Sequence, residues 1–75
     1  MKNMTTEEKV GLIEELMDLD EGTLSLEDRL EDYEEWDSLS KLSLIAETKK
    51  KFNKVLSTDE LRNFISVKDI CDFLG

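Results

Sequence analysis

Apolar residues recur at helical spacing in three stretches of the chain. Val10, Ile13, Leu16 and Met17 share one face of a first segment, and Val67, Ile70, Cys71 and Leu74 share one face of the last. Between them lies a third stripe of Leu39, Leu42, Ile45, Ala46 and Phe52. Polar residues suited to helix starts precede these stripes. Thr5 stands three residues before Glu8, and Ser57 three before Glu60, so each hydroxyl can accept from the third amide while the glutamate reaches back to the cap amide. Ser66 and Asp69 form a shorter, weaker version of the same box, and Asp37 serves as cap for the middle segment. The pattern predicts helices near 6–19, 38–53, 58–63 and 67–74, with no strand signal. This is an all-α fold, a small four-helix bundle of three main helices and one short one. A long acidic connection from Asp20 to Trp36 joins the first helix to the second. It exceeds the usual loop length, which marks a functional loop or one pinned by its own side chains, here Leu24, Leu26, Leu30 and Trp36.

Length and charge narrow the function. With 75 residues, the chain reads as one domain over 1–75, whose small core supplies about 3 to 5 kcal/mol net. Nineteen acids against ten bases give a net charge of -9, which disfavours nucleic acid and anionic membranes as partners. There is no histidine, so the commonest general base, the usual zinc ligand and every Ser-His or Cys-His pair are missing. No catalytic residue and no metal ligand set is expected, and the chain reads as a non-enzyme. The lone cysteine, Cys71, cannot form an internal disulfide and lies on an apolar face, which fits a buried thiol and a cytoplasmic setting. No run reaches the roughly 18 apolar residues of a membrane span, and Met1-Lys2-Asn3-Met4 opens no apolar signal region. Monomer is the expected state for so charged a chain without a heptad seam.

Charge is also unevenly placed. Residues 1–37 hold 14 acids and 3 bases, whereas residues 38–75 hold 5 acids and 7 bases. Such carboxylate density suggests weak binding of Mg2+ or Ca2+ by the first half. The stretch Asp18-Leu19-Asp20-Glu21-Gly22 is not a calcium loop of the EF-hand kind, because the glycine comes one position early and Arg29 stands where the last glutamate belongs.

The segment Trp36-Asp37-Ser38-Leu39-Ser40 carries the chemistry. Ser38 falls in the first turn of a predicted helix directly after the long loop, where free amides and the helix dipole favour a phosphate ester. Nothing in the chain can activate its hydroxyl, so any modification requires another protein.

Here the sequence resembles the acyl carrier protein family, also called phosphopantetheine-attachment domains. Asp37-Ser38-Leu39 matches the family's Asp-Ser-Leu attachment motif. Ahead of it stands Leu30-Glu31-Asp32-Tyr33-Glu34-Glu35-Trp36, and behind it Leu42, Leu44, Ile45 and Ala46, Lys51-Phe52 and Ser66-Val67-Lys68-Asp69-Ile70 follow in the family's order. The resemblance implies a carrier of acyl or aminoacyl groups. A phosphopantetheinyl transferase would move 4'-phosphopantetheine from coenzyme A onto Ser38, and the arm's thiol would hold cargo as a thioester. Further partners would be an acyl-loading ligase or synthase and downstream acyl-transfer enzymes. Asp37 would aid transferase recognition as well as cap the helix. Leu39 would be a docking hydrophobe beside the arm, although from the pattern alone it reads equally as core.

One departure bears on partners. Familiar fatty-acid carriers have a strongly acidic helix after the serine, but here Lys41, Lys49, Lys50 and Lys51 stand against Glu47 alone, and the often acidic positions two and five after Ser38 are Ser40 and Ser43. A specialised carrier is expected in place of a housekeeping fatty-acid one, serving a dedicated lipid, polyketide, peptide or surface-sugar acylation pathway. Lys41, Leu42 and Glu47 join Leu39 as candidate docking residues. The alternative from another class is an acidic helical adaptor that binds a partner protein and carries no prosthetic group.

Overall fold

A computed structural model of the chain describes residues 4–75. Met1, Lys2 and Asn3, on which the reading of the N-terminus partly rests, lie outside the described residues. The architecture is all-helical: α1 Thr6–Leu16, a single 3-10 turn η1 Leu30–Asp32, α2 Ser38–Phe52, α3 Thr58–Asn63 and α4 Val67–Leu74. The small helical bundle expected from the sequence is what forms, and α1 packs against both α2 and α4. No helix among the described residues is long and apolar enough to cross a membrane.

The caps form where the sequence places them. Thr5, Ser57 and Ser66 each accept from the amide three residues on, and Glu8, Glu60 and Asp69 return to the cap amide. The shorter Asp69 is no weaker in what it holds, because Oδ2 accepts from the amides of Ile65 at 2.9 Å and Ser66 at 3.1 Å. These two bonds hold the Asp69 carboxyl below its ordinary value.

Two helices end earlier than their apolar periodicity suggests. The helix predicted to reach residue 19 stops at Leu16, because Asp18 turns left-handed at φ 58°. The amides of Asp18 and Leu19 then return to the carbonyls of Glu15 and Glu14, a Schellman ending that satisfies carbonyls left open by the last turn. α2 ends one residue early at Asn53, also left-handed at φ 53°. Leu19, read as helical, still packs against the core from beyond the helix.

The core is built from Ile13, Met17, Leu24, Leu30, Leu44, Leu56 and the α4 row Val67, Ile70, Cys71 and Leu74. Leu24 and Leu30 are fully engaged pins of the long connection, while Leu26 and Trp36 pack against the core half-buried. Polar bonds complete the pinning. The Leu24 amide donates to the buried Glu14 carboxylate at 2.8 Å, and Asp28 Oδ2 accepts from the Ser25 amide and the Tyr33 hydroxyl, both at 2.9 Å. The Ser25 amide first and Tyr33 second lower the Asp28 carboxyl, and the same contact raises the Tyr33 hydroxyl. The connection also runs antiparallel to the start of α4. There the amides of Val67 and Lys68, helix-start donors with no partner inside the helix, donate to the carbonyls of Asp28 and Leu26, each at 3.0 Å. Thus the long connection is a packed part of the fold that delivers Trp36 and Asp37 to the start of α2.

α2 differs from its predicted stripe. Its buried row is Ser40, Leu44 and Thr48, spaced four apart. Leu39 and Leu42 are 75% and 63% exposed, and Ala46 is exposed too. The reading of Leu39 as core therefore fails.

Candidate functional site

Ser38 is the first residue of α2 and is exposed to solvent. Its position follows from three local causes. Asp37 sits extended ahead of the helix and its Oδ1 accepts from the Ser40 amide at 3.0 Å, which fixes the first turn. Ser40, two residues beyond, is buried, and its Oγ lies 2.6 Å from the carbonyl of Glu35 and 3.3 Å from that of Leu16. A hydroxyl has one proton, so the shorter bond to Glu35 is the main one. Ser40 thereby ties the helix start to both the incoming loop and the end of α1. The third cause is Trp36, half-buried against the core with Lys41 Nζ 5.8 Å from its ring centroid, a cation–π contact that spans the turn.

The result is a serine held by its neighbours but not used by them. No hydrogen bond to Ser38 Oγ occurs among the described residues. The amides of Ser38 and Leu39 also have no acceptor among the described residues, since the Asp37 side chain takes Ser40 and the Asp37 carbonyl takes Lys41. An exposed hydroxyl beside two open amides at a helix start is electrostatically suited to a phosphate ester. That is the observation by which the residues present fit a covalently attached phosphopantetheine.

Of the residues singled out in the sequence, Asp37, Ser38 and Leu39 fall together at the head of α2. Leu39 and Leu42 lie one turn apart and both face solvent. Lys41 is half-buried over Trp36, and Glu47 is half-buried with its Oε2 3.6 Å from Lys51 Nζ, so these two are partly committed within the molecule. No group of three or more Cys, Asp or Glu side chains among the described residues is placed to hold a metal ion, so the carboxylates of the first half do not converge on a divalent site. Cys71 is buried in the core, and that burial raises its thiol above the ordinary value.

Ser40 was the functional residue hidden from sequence. Counted from Ser38 it occupied a position expected on a docking surface, yet it is buried and positions the site. The available signal was its spacing of four from Leu44 and of eight from Thr48, a row that looked unpromising because two of its three members are polar. A groove beside Trp36 and Lys41 also went unseen, because Arg29, Arg62, Phe64 and Ile65 reach it from distant parts of the chain.

The family model described as phosphopantetheine attachment site matches residues 10–74. No curated protein and no solved structure matches the chain. Since the match spans all of α2 to α4 and most of α1, and the head of α2 offers the exposed hydroxyl such a group requires, the chain belongs to the phosphopantetheine-attachment, or acyl carrier protein, family, and its prosthetic group is covalent 4'-phosphopantetheine.

Proposed function

We propose that the chain, as one carrier unit over residues 1–75, bears its arm on Ser38 and carries acyl cargo between cytoplasmic enzymes. The observation that supports this most is the exposed, unbonded Ser38 hydroxyl at the capped start of α2. When bound, the arm supplies a terminal thiol that can hold cargo as a thioester. The chain's own residues supply placement. Asp37 and Ser40 fix the turn, the open amides of Ser38 and Leu39 face the position of an ester phosphate, and Lys41 adds positive charge one turn away. No side chain of the described residues accepts a hydrogen bond from Ser38, so its proton must leave to a group on the partner transferase.

Family membership implies a transferase that installs the arm and synthase-type enzymes that use it, and domains of this family are generally non-catalytic. Leu39 and Leu42 are the exposed apolar residues best placed to meet those enzymes, with Lys41 and Glu47 beside them. The basic run Lys49-Lys50-Lys51 at the far end of α2 favours partner surfaces unlike those that receive an acidic helix. An adaptor without a prosthetic group gives way to this reading.

Intact-protein mass spectrometry tests it. After incubation with coenzyme A, Mg2+ and a broad-specificity phosphopantetheinyl transferase, the wild type should gain one phosphopantetheine and Ser38→Ala none. A gain retained by Ser38→Ala, or no gain in folded wild type, would refute attachment at Ser38.

A further inference from the structure

Where other lysines of the fold are tied down, they are tied to oxygen. Lys51 meets Glu47 at 3.6 Å, Lys68 meets Asp72 at 3.2 Å, and Lys54 donates to the carbonyl of Phe73 at 2.9 Å. Lys41 is different. Half-buried, its ammonium lies 5.8 Å from the centroid of the Trp36 ring and has no ion pair or hydrogen-bond acceptor among the described residues. An acid is close in sequence: Asp37 stands four residues earlier, in the order that favours an ion pair along a helix. Its Oδ1 is instead turned to the Ser40 amide, 3.0 Å away. The ring attracts the charge of Lys41 through its quadrupole but has no lone pair for the three N–H donors. In a chain where 19 acids outnumber 10 bases, this ammonium keeps all its donors free.

Its place gives those donors a use. Lys41 lies three residues after Ser38 in α2, so their Cβ atoms are about 5 to 6 Å apart on one face of the helix. Of the three cations that border the groove beside Trp36, Arg29 is paired with Glu31 at 2.8 Å and Arg62 belongs to α3, so Lys41 alone shares a helix with Ser38. An ester at Ser38 brings a singly charged phosphodiester to this turn, beside the open amides of Ser38 and Leu39. We propose that Lys41 is a positioning residue for the arm: on attachment its ammonium passes from the Trp36 ring to the phosphodiester oxygens, and Trp36 thereby registers whether the arm is in place. This rests on the attachment at Ser38 proposed above. The exchange runs toward phosphate because an ammonium–phosphate hydrogen bond is charge-assisted, whereas the ring satisfies none of the donors. The root of the arm is then held from two sides, by the helix amides and by Lys41. One face of Trp36 is freed, so an enzyme can tell the arm-free from the arm-bearing carrier without meeting the thiol. Lys41 in this account serves the arm, and the docking surface is left to Leu39 and Leu42, both exposed.

The chain has a single tryptophan, so its fluorescence and indole N–H signal report Trp36 alone. Wild type, Lys41→Gln and Lys41→Arg, each shown to be helical by circular dichroism, can be compared before and after loading with coenzyme A and a transferase, with attachment checked by mass against Ser38→Ala. A third readout is the 31P signal of the attached phosphodiester. In wild type both Trp36 signals should move on loading. In Lys41→Gln that movement should be lost, and the 31P signal should shift away from its wild-type position toward that of free phosphopantetheine. Lys41→Arg, which keeps the charge and the donors, should restore both. The Trp36 response of wild type should shrink at 1 M salt, where the screening length falls to about 3 Å. A Trp36 response to loading that is the same in Lys41→Gln as in wild type, or a 31P signal at one position in both, overturns the proposal while attachment at Ser38, read by mass, stands. No gain in mass in folded wild type overturns the attachment reading and this one with it.

Discussion

α4 and α2 solve opposite problems. In α4 every apolar residue of the periodic row, Val67, Ile70, Cys71 and Leu74, is buried, and the helix start is closed by a capping box and by two carbonyls from the long connection. In α2 two of the three buried residues are polar, two leucines stand in solvent, and the first amides are left open. A helix that exists to complete a core buries its apolar face. In the proposed reading, α2 is held by polar ties at its base and its exposed leucines are surface kept for partners.

The largest expected difference is in stability. Ile70→Ala removes a fully buried side chain, at a cost of about 3 kcal/mol, which approaches the total that so small a core provides. Chemical denaturation should find this variant largely unfolded even in dilute denaturant. A loss below about 1 kcal/mol would mean the site had collapsed around the gap and that α4 is less essential than its burial implies.

Next come the polar ties of α2. Ser40→Ala loses the 2.6 Å bond to Glu35 and should cost about 1 kcal/mol. It should also slow phosphopantetheine transfer to Ser38, since the first turn would no longer be anchored to the loop and α1. Thr48 ends the same row with its Oγ buried and without a partner. Thr48→Val keeps the shape and removes the unsatisfied hydroxyl, so it should stabilise by about 1 kcal/mol. A destabilised Thr48→Val, or a Ser40→Ala that loads at the wild-type rate, would show that α2 is held in some other way.

The same contrast explains what was legible in the sequence. Helix starts were readable because a capping box is local: Thr5 and Glu8, Ser57 and Glu60, Ser66 and Asp69 need only their own spacing. The α4 face was readable because apolar period and burial coincide there. Helix ends were not, because Asp18 and Asn53 take left-handed conformations that side-chain hydropathy does not encode. The α2 face is not legible in the same way, because its apolar stripe includes Leu39 and Leu42, which stand in solvent, while two of its three buried residues are polar. Ser38 was found through a motif and not through periodicity. The cationic groove was out of reach, since it joins residues 29, 36, 41 and 62 only after folding.

The start of α4 responds to acid. Asp69 accepts from two amides, and those bonds lower its carboxyl. With a folded value below the unfolded one of about 3.9, its stabilisation is complete above that pH. It is lost as pH falls through the lower folded value, when the proton removes the acceptor charge. Asp28, lowered by Ser25 and Tyr33, acts in the same direction. Denaturation midpoints measured from pH 6 to 2 should therefore fall less steeply below about pH 4 in Asp69→Asn than in wild type. Superimposable acid limbs would remove Asp69 from the account.

The smallest stability effect belongs to the exposed leucines. Leu39 and Leu42 give up little burial when shortened, so Leu39→Ala and Leu42→Ala should each lie within about 0.5 kcal/mol of wild type. Their effect should appear instead in a partner reaction. With Ser38 intact and the fold unchanged, the apparent KM of the transferase for the carrier should rise while the loaded product keeps the same mass. A variant as stable as wild type but poorly recognised would separate the two uses of apolar surface that distinguish α2 from α4. Unchanged recognition would place docking elsewhere, and the exposed Val55 beyond the end of α2 would be the next residue to test. Substitution of Leu39 alone is the sharper version, because it sits directly beside Ser38 and shares the open start of the helix, whereas Leu42 is a turn further on. A larger loss for Leu39 than for Leu42 would mean that the enzyme reads the attachment turn itself, and equal losses would mean that it reads the whole exposed face.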